Sequence, residues 1–277
     1  MGNNSWVVEN LNNALATWNG KLQEIWQLLL TSPEAFRGGS IWGIIVNIHD
    51  ALKATGFALL VLFFVMGVVK TTTNFSELKR PEHAVRLFLR FAIAKAVVTY
   101  GMDLMLAVFR IAQGVVSSIA GSLGSASGML AALPAEVEGA IAQASFWESI
   151  PLWIVTLLGS LLITILSFII IMTMYGRYFS LYMYAAIAPI PLAAFAGEST
   201  AQIGVQFLKS YAGVCLQGAI IVLACVIFTA FAAAPPAVTG SGVVQMVWNY
   251  IAELVFNLLV LVGAVKLSER LCKEMMG

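Results

Sequence analysis

Three charged side chains, Lys95, Asp103 and Glu253, fall inside stretches that are otherwise apolar enough to lie in a bilayer. A charge at the bilayer centre costs roughly 2.5–3.5 kcal/mol on insertion scales, so each is expected to face protein or water. Lys95 and Glu253 lie roughly 12 Å and 18 Å from the cytoplasmic edges of their spans at the helical rise. The long lysine side chain bridges that difference, which makes an ion pair between them one expectation. Asp103 sits nearer the outer face with Arg110 on the same helical side, and a solvated surface role is the plainer reading.

Glu253 also belongs to a series. Gln245, Asn249, Glu253 and Asn257 recur every fourth residue, and neighbours four apart share one helix face. Such a stripe cannot face lipid. It either hydrogen-bonds to neighbouring helices or lines a hydrated conduit at a subunit junction. Gln202, Gln206, Ser210 and Gln217 form a second ladder with the same two readings. At Pro81, a favoured first helical position, RPEHAVRLFLR begins a helix bearing a basic face of Arg80, His83, Arg86 and Arg90. That face meets anionic headgroups or docks a cytoplasmic partner.

The elements that must position these residues follow from composition. Of 277 residues, 60% are hydrophobic and 10% charged, with mean hydropathy +0.89. Runs long enough to cross a hydrocarbon core, which needs about 20 helical residues, lie at 54–69, 87–109, 150–174, 211–234 and 243–265. The first is extendable backwards through Ile41–Ile48. The runs are unbroken and lack the alternation of barrel strands. Residues 5–30 place Trp6, Leu11, Leu15, Trp18, Leu22, Ile25, Trp26 and Leu29 at helical spacing among polar residues. This helix is too polar to span; it lies at the headgroup level or packs on protein. No basic start followed by an apolar stretch marks a signal peptide.

One apolar segment resists a simple reading. Residues 178–197 follow Arg177 and contain Pro189 and Pro191. Each proline removes a backbone donor and disfavours helical angles in the residue before it. Broken backbone at membrane depth is tolerated only where protein or water covers it. Lys70, Lys79, Arg80, Arg86 and Arg90 place the loop after the first span in the cytoplasm. A re-entrant 178–197 would put Arg177, Lys209 and the tail there too. The expected fold is an all-α polytopic membrane protein with about five transmembrane helices plus one re-entrant or Pro-broken hairpin. Its N-terminus is outside and its C-terminus cytoplasmic.

The organisation is then an extracytoplasmic amphipathic region at 1–53 and two spans over 54–109 with a basic cytoplasmic loop at 70–90. An extracytoplasmic Gly/Ser/Ala-rich connection follows at 110–149, then a membrane core at 150–265 and a cytoplasmic tail at 266–277. Cys215, Cys225 and Cys272 form no CxxC pair and read as free thiols. No nucleotide loop, HExxH or GxSxG motif is present, and His49 and His83 are the only histidines. Neither catalysis nor a metal or cofactor is expected.

The stretch YGRYFSLYMYAAIAPIPLAAFAGESTAQIGVQFLKSYAG carries a resemblance. An arginine after a long span, an A-P-I-P break, and a polar helix ending in lysine before another span resemble the TrbL family of conjugal transfer proteins. The resemblance covers roughly residues 150–265 and only weakly the first 50. It implies a polytopic channel or platform subunit of a type IV secretion system in the bacterial cytoplasmic membrane. Such a subunit forms a homo-oligomeric ring and engages the secretion ATPase, bitopic channel subunits and the pilus or stalk base. It meets the transported DNA–protein complex transiently. Arg177 and the Ala188–Pro191 break would shape a cytoplasmic vestibule or subunit contact. The competing reading is an ion-coupled small-solute transporter using Lys95, Asp103 and Glu253. Transporters commonly repeat the broken helix in both halves, and only one half breaks here.

Overall fold

A computed structural model describes residues 5–72, 81–121, 131–231 and 242–276, and these residues form helices with no strand. In chain order they are α1 (Ser5–Leu30), α2 (Ser40–Thr72), α3 (Pro81–Thr99), α4 (Gly101–Gly121) and α5 (Ala135–Gln143). Then follow α6 (Phe146–Ile187), α7 (Pro189–Ala193), α8 (Ala201–Phe231) and α9 (Val243–Met276). Five segments of the described residues are long and apolar enough to cross a membrane: Phe36–Lys70, Gly101–Gly121, Phe146–Ile187, Ala201–Phe231 and Val243–Met276. The helical membrane class and the number of spans therefore agree with the sequence.

The bounds differ in two places. The run expected as one span at 87–109 divides at Tyr100 into α3 and α4. The hydrogen bonds Tyr100 N to Ala96 O (2.9 Å) and Leu104 N to Tyr100 O (3.0 Å) carry the ladder across the division. Helix α4 then continues to Gly121, well into the stretch read as a connection. Helix α6 runs on past Arg177 to Ile187, because nothing opposes helical geometry until Pro189.

The chain forms two compact units. The first comprises Met1–Leu30, Val116–Gly176 and Ala219–Glu269. Here α1 buries Val7, Leu11, Leu15, Trp18, Leu22, Ile25 and Leu29, spaced by threes and fours along one face. Trp18 is fully covered. Of the two sequence readings of α1, packing on protein is the one observed. Asn19 secures it with a two-pronged bracket, donating to Ala131 O (2.8 Å) and accepting from Ala131 N (2.9 Å). The Tyr175 hydroxyl donates to Glu24 (2.8 Å), and Tyr250 donates to Ala132 O (3.0 Å).

Helix α6 starts on a capping contact in which Glu148 accepts from the Ser145 backbone N–H and hydroxyl, both at 2.8 Å. Within this unit the hydroxyls of Thr156, Ser160, Thr164, Ser167 and Thr173 each donate to a carbonyl three or four residues back. These polar atoms need no partner from another helix. Gly159 lets α6 close on α9, since a Cβ there would lie 2.6 Å from Ile251 Cγ2.

The second unit comprises Thr31–Val115, Arg177–Gly218 and Arg270–Gly277. It begins with a sharp turn at Arg37, Gly38 and Gly39, with φ of 47°, 70° and 78°. Two glycines in a row meet a left-handed requirement that side chains oppose. Helices α2 and α3 run antiparallel, with Phe64 against Phe91 (4.8 Å between ring centroids). The stretch 177–197 runs beside α2 in the same direction. Phe36 stacks on Tyr178 (4.3 Å), Trp42 meets Tyr182 (6.1 Å), Gly56 meets Pro189, and Phe63 meets Gly197. The start of α8 returns antiparallel to it: Phe195 meets Gly204, and Tyr184 meets Phe207 (5.5 Å) and Tyr211 (6.0 Å). Leu60, Ala94, Val98, Met105, Leu181, Leu192 and Cys215 fill the centre.

Candidate functional site

The chain makes a hairpin after Arg177, but not at the prolines: Ala188, before Pro189, keeps helical angles (φ −49°, ψ −39°), contrary to the sequence expectation. Pro189 and Pro191 sit in the first limb, as a short helix that tightens into a 3₁₀ turn at Ala194–Ala196. The chain reverses at Gly197–Thr200, where the Thr200 hydroxyl donates to Ala194 O (2.8 Å). A Cβ on Gly197 would lie 2.8 Å from Phe63 O, so glycine is what lets the tip touch α2. Gly56 does the same beside the break, where a Cβ would stand 2.8 Å from Pro189 O.

The front of the limb is pinned through side chains. Tyr178 donates to Thr31 O (2.8 Å), Tyr182 donates to Pro33 O (3.0 Å), and His49 Nδ1 lies 2.7 Å from Ala185 O. A carbonyl only accepts, so the imidazole carries its proton on Nδ1. Broken backbone is thus covered by protein, as the sequence argument required.

Arg177 is only 3% exposed and lies inside the second unit. Its Nε donates to Val214 O (3.3 Å) and Nη2 to Cys215 O (3.2 Å), while its guanidinium carbon sits 5.9 Å above the Phe109 ring. Gly218 makes the room, since a Cβ there would lie 2.6 Å from Nη2. Among the described residues Nη1 has no hydrogen-bond partner. A buried cation held by carbonyl dipoles and a ring face is a packing anchor between α6 and α8.

The basic residues distribute along the length of α2. Arg177 lies at the N-terminal end of α2, beside Phe109, whose neighbour Arg110 faces Glu34 (3.7 Å). Glu198 at the tip faces Arg90 (3.8 Å), near the C-terminal end of α2. Arg177 and Lys70 thus lie at opposite ends of α2. The tail residues Cys272 and Met276 pack by Gly213, at the Arg177 end.

The remaining sequence candidates fall in different units. Lys95 and Asp103 are exposed on α3 and α4 of the second unit; Glu253 is exposed on α9 in the first. Gln245 is exposed, Asn249 and Asn257 are half-buried, and Gln245, Asn249 and Glu253 have interaction partners. The stripe lies at the margin of the face that buries Val247, Tyr250, Leu254 and Leu258. On the basic face, Arg86 is exposed and Arg90 half-buried; Arg80 and the side chain of His83 lie outside the described residues. Sequence reasoning missed His49, Gly56 and Gly218. The available signal for His49 was a histidine buried in an apolar helix, which needs a polar partner.

A family model described as TrbL/VirB6 plasmid conjugal transfer like protein matches residues 18–189. The match takes in the second half of α1, within the stretch the resemblance covered only weakly, and ends at Pro189, short of most of the 150–265 region on which the resemblance rested. No curated protein and no solved structure matches the chain significantly. With more than half its length matched and five apolar helices, this chain is a multi-pass membrane protein and belongs to the TrbL/VirB6 family of plasmid conjugal transfer-like proteins.

Proposed function

We propose that this chain is a membrane-embedded channel or platform subunit of a type IV secretion machine. It sits in the bacterial cytoplasmic membrane and assembles as a homo-oligomer. It catalyses no reaction itself and draws energy from the secretion ATPase. The family match over residues 18–189 carries the reading. The polar stripe of α9 is consistent with it: Gln245 and Glu253, which have partners within the chain, are also exposed on a helix apolar enough to span. The bitopic channel subunits and the ATPase are the remaining partners, and the DNA–protein substrate passes transiently.

Deletion and complementation in a conjugating donor test this reading. Loss of transfer restored by the tagged chain, with recovery of the secretion ATPase in its detergent complex, is expected. Undiminished transfer by the deletion strain refutes it.

A further inference from the structure

We infer that His49 and Pro189 form one device: the imidazole supplies the hydrogen bond that the proline removes, and so latches the broken limb to α2. In an α-helix the N–H of residue 189 would donate to the carbonyl of residue 185. Pro189 has no N–H, so the Ala185 carbonyl at the end of α6 loses its helical partner. That carbonyl receives His49 Nδ1 at 2.7 Å. Ala185 is 1% exposed and His49 fully buried, so water does not reach the carbonyl in the side chain's place.

The surroundings are shaped for the ring. Gly101 faces it without a side chain, with its absent Cβ 3.4 Å from His49 Cε1 and 3.5 Å from Nε2. Gly56 lets Pro189 approach α2 one helical stretch further on. Among the described residues Nε2 has no hydrogen-bond partner, and the ring is held by Nδ1 and by packing. A proline placed here for rigidity alone would leave a buried acceptor unmet, which folded proteins avoid. His49 is therefore a positioning residue: it acts through the limb and holds whether or not the limb contacts a transported substrate.

The test is a mutant cycle on the full chain in detergent, read by hydrogen exchange of the 188–197 backbone. His49→Leu is expected to speed exchange at least about tenfold through loss of a buried hydrogen bond. His49→Asn, which keeps a donor near Nδ1, should stay within about threefold. Pro189→Ala restores the backbone N–H, and the double variant His49→Leu/Pro189→Ala should return most of the protection. Equal or greater exposure in the double variant, or His49→Asn behaving like His49→Leu, overturns the device. Should His49→Leu fail to accumulate, accumulation of the double variant supports it and failure of both overturns it.

Discussion

The two units solve the problem of polar atoms in an apolar setting differently. In the first, the hydroxyls of α6 bond within their own helix, and the core is built from side chains meeting side chains. In the second, a helix is interrupted: His49 donates to its Ala185 carbonyl, while its own Tyr182 and Arg177 donate to the Pro33 and Val214 carbonyls elsewhere in the unit. Self-contained helices tolerate local change. A broken helix depends on distant residues arriving at the right place.

Glycine substitutions sharpen this contrast most. Gly56→Ala pushes a Cβ against backbone atoms of Pro189, which cannot rotate away. It should cost about 3 kcal/mol or more, the upper end for overpacking, seen as a large fall in thermal midpoint in detergent. Gly159→Ala, in the first unit, meets only the Ile251 side chain, which can change rotamer. It should cost about 1–2 kcal/mol. Equal losses would remove the distinction drawn between the units.

Asn19→Ala should cost about 1–2 kcal/mol by leaving both partners of the bracket on residue 131 unmet, measured by the same unfolding midpoint. Topology offers a test without a stability change. Ile203→Cys and Lys70→Cys should label from the same membrane face, and Arg110→Cys from the other, when impermeant thiol reagents are applied to intact cells and inverted vesicles. Labelling of positions 203 and 110 from one face contradicts the parallel run of the limb beside α2. The smallest effect belongs to Arg270→Ala, which removes an exposed i,i+4 pair with Glu274 and should leave the midpoint unchanged.

Much of the first unit was legible because hydropathy and spacing report side chains. The apolar face of α1 was readable residue by residue, and the structure buries it against protein. The third span was readable too, though its helix continues to Ile187. The second unit was legible only in outline. The prolines announced a break, but the reversal at Gly197–Thr200 depends on the glycine's approach to Phe63, which no local pattern encodes. Arg177 looked like a boundary charge because positive residues collect at membrane edges. Its burial depends on Gly218, far along the chain, leaving space for a guanidinium.

The three cysteines lend themselves to experiment. Cys215, Cys225 and Cys272 are at most 5% exposed, each closed over by neighbouring helices. Maleimides should therefore leave the wild-type chain untouched, and spectroscopic probes can be installed one at a time without first stripping out the native sulfur.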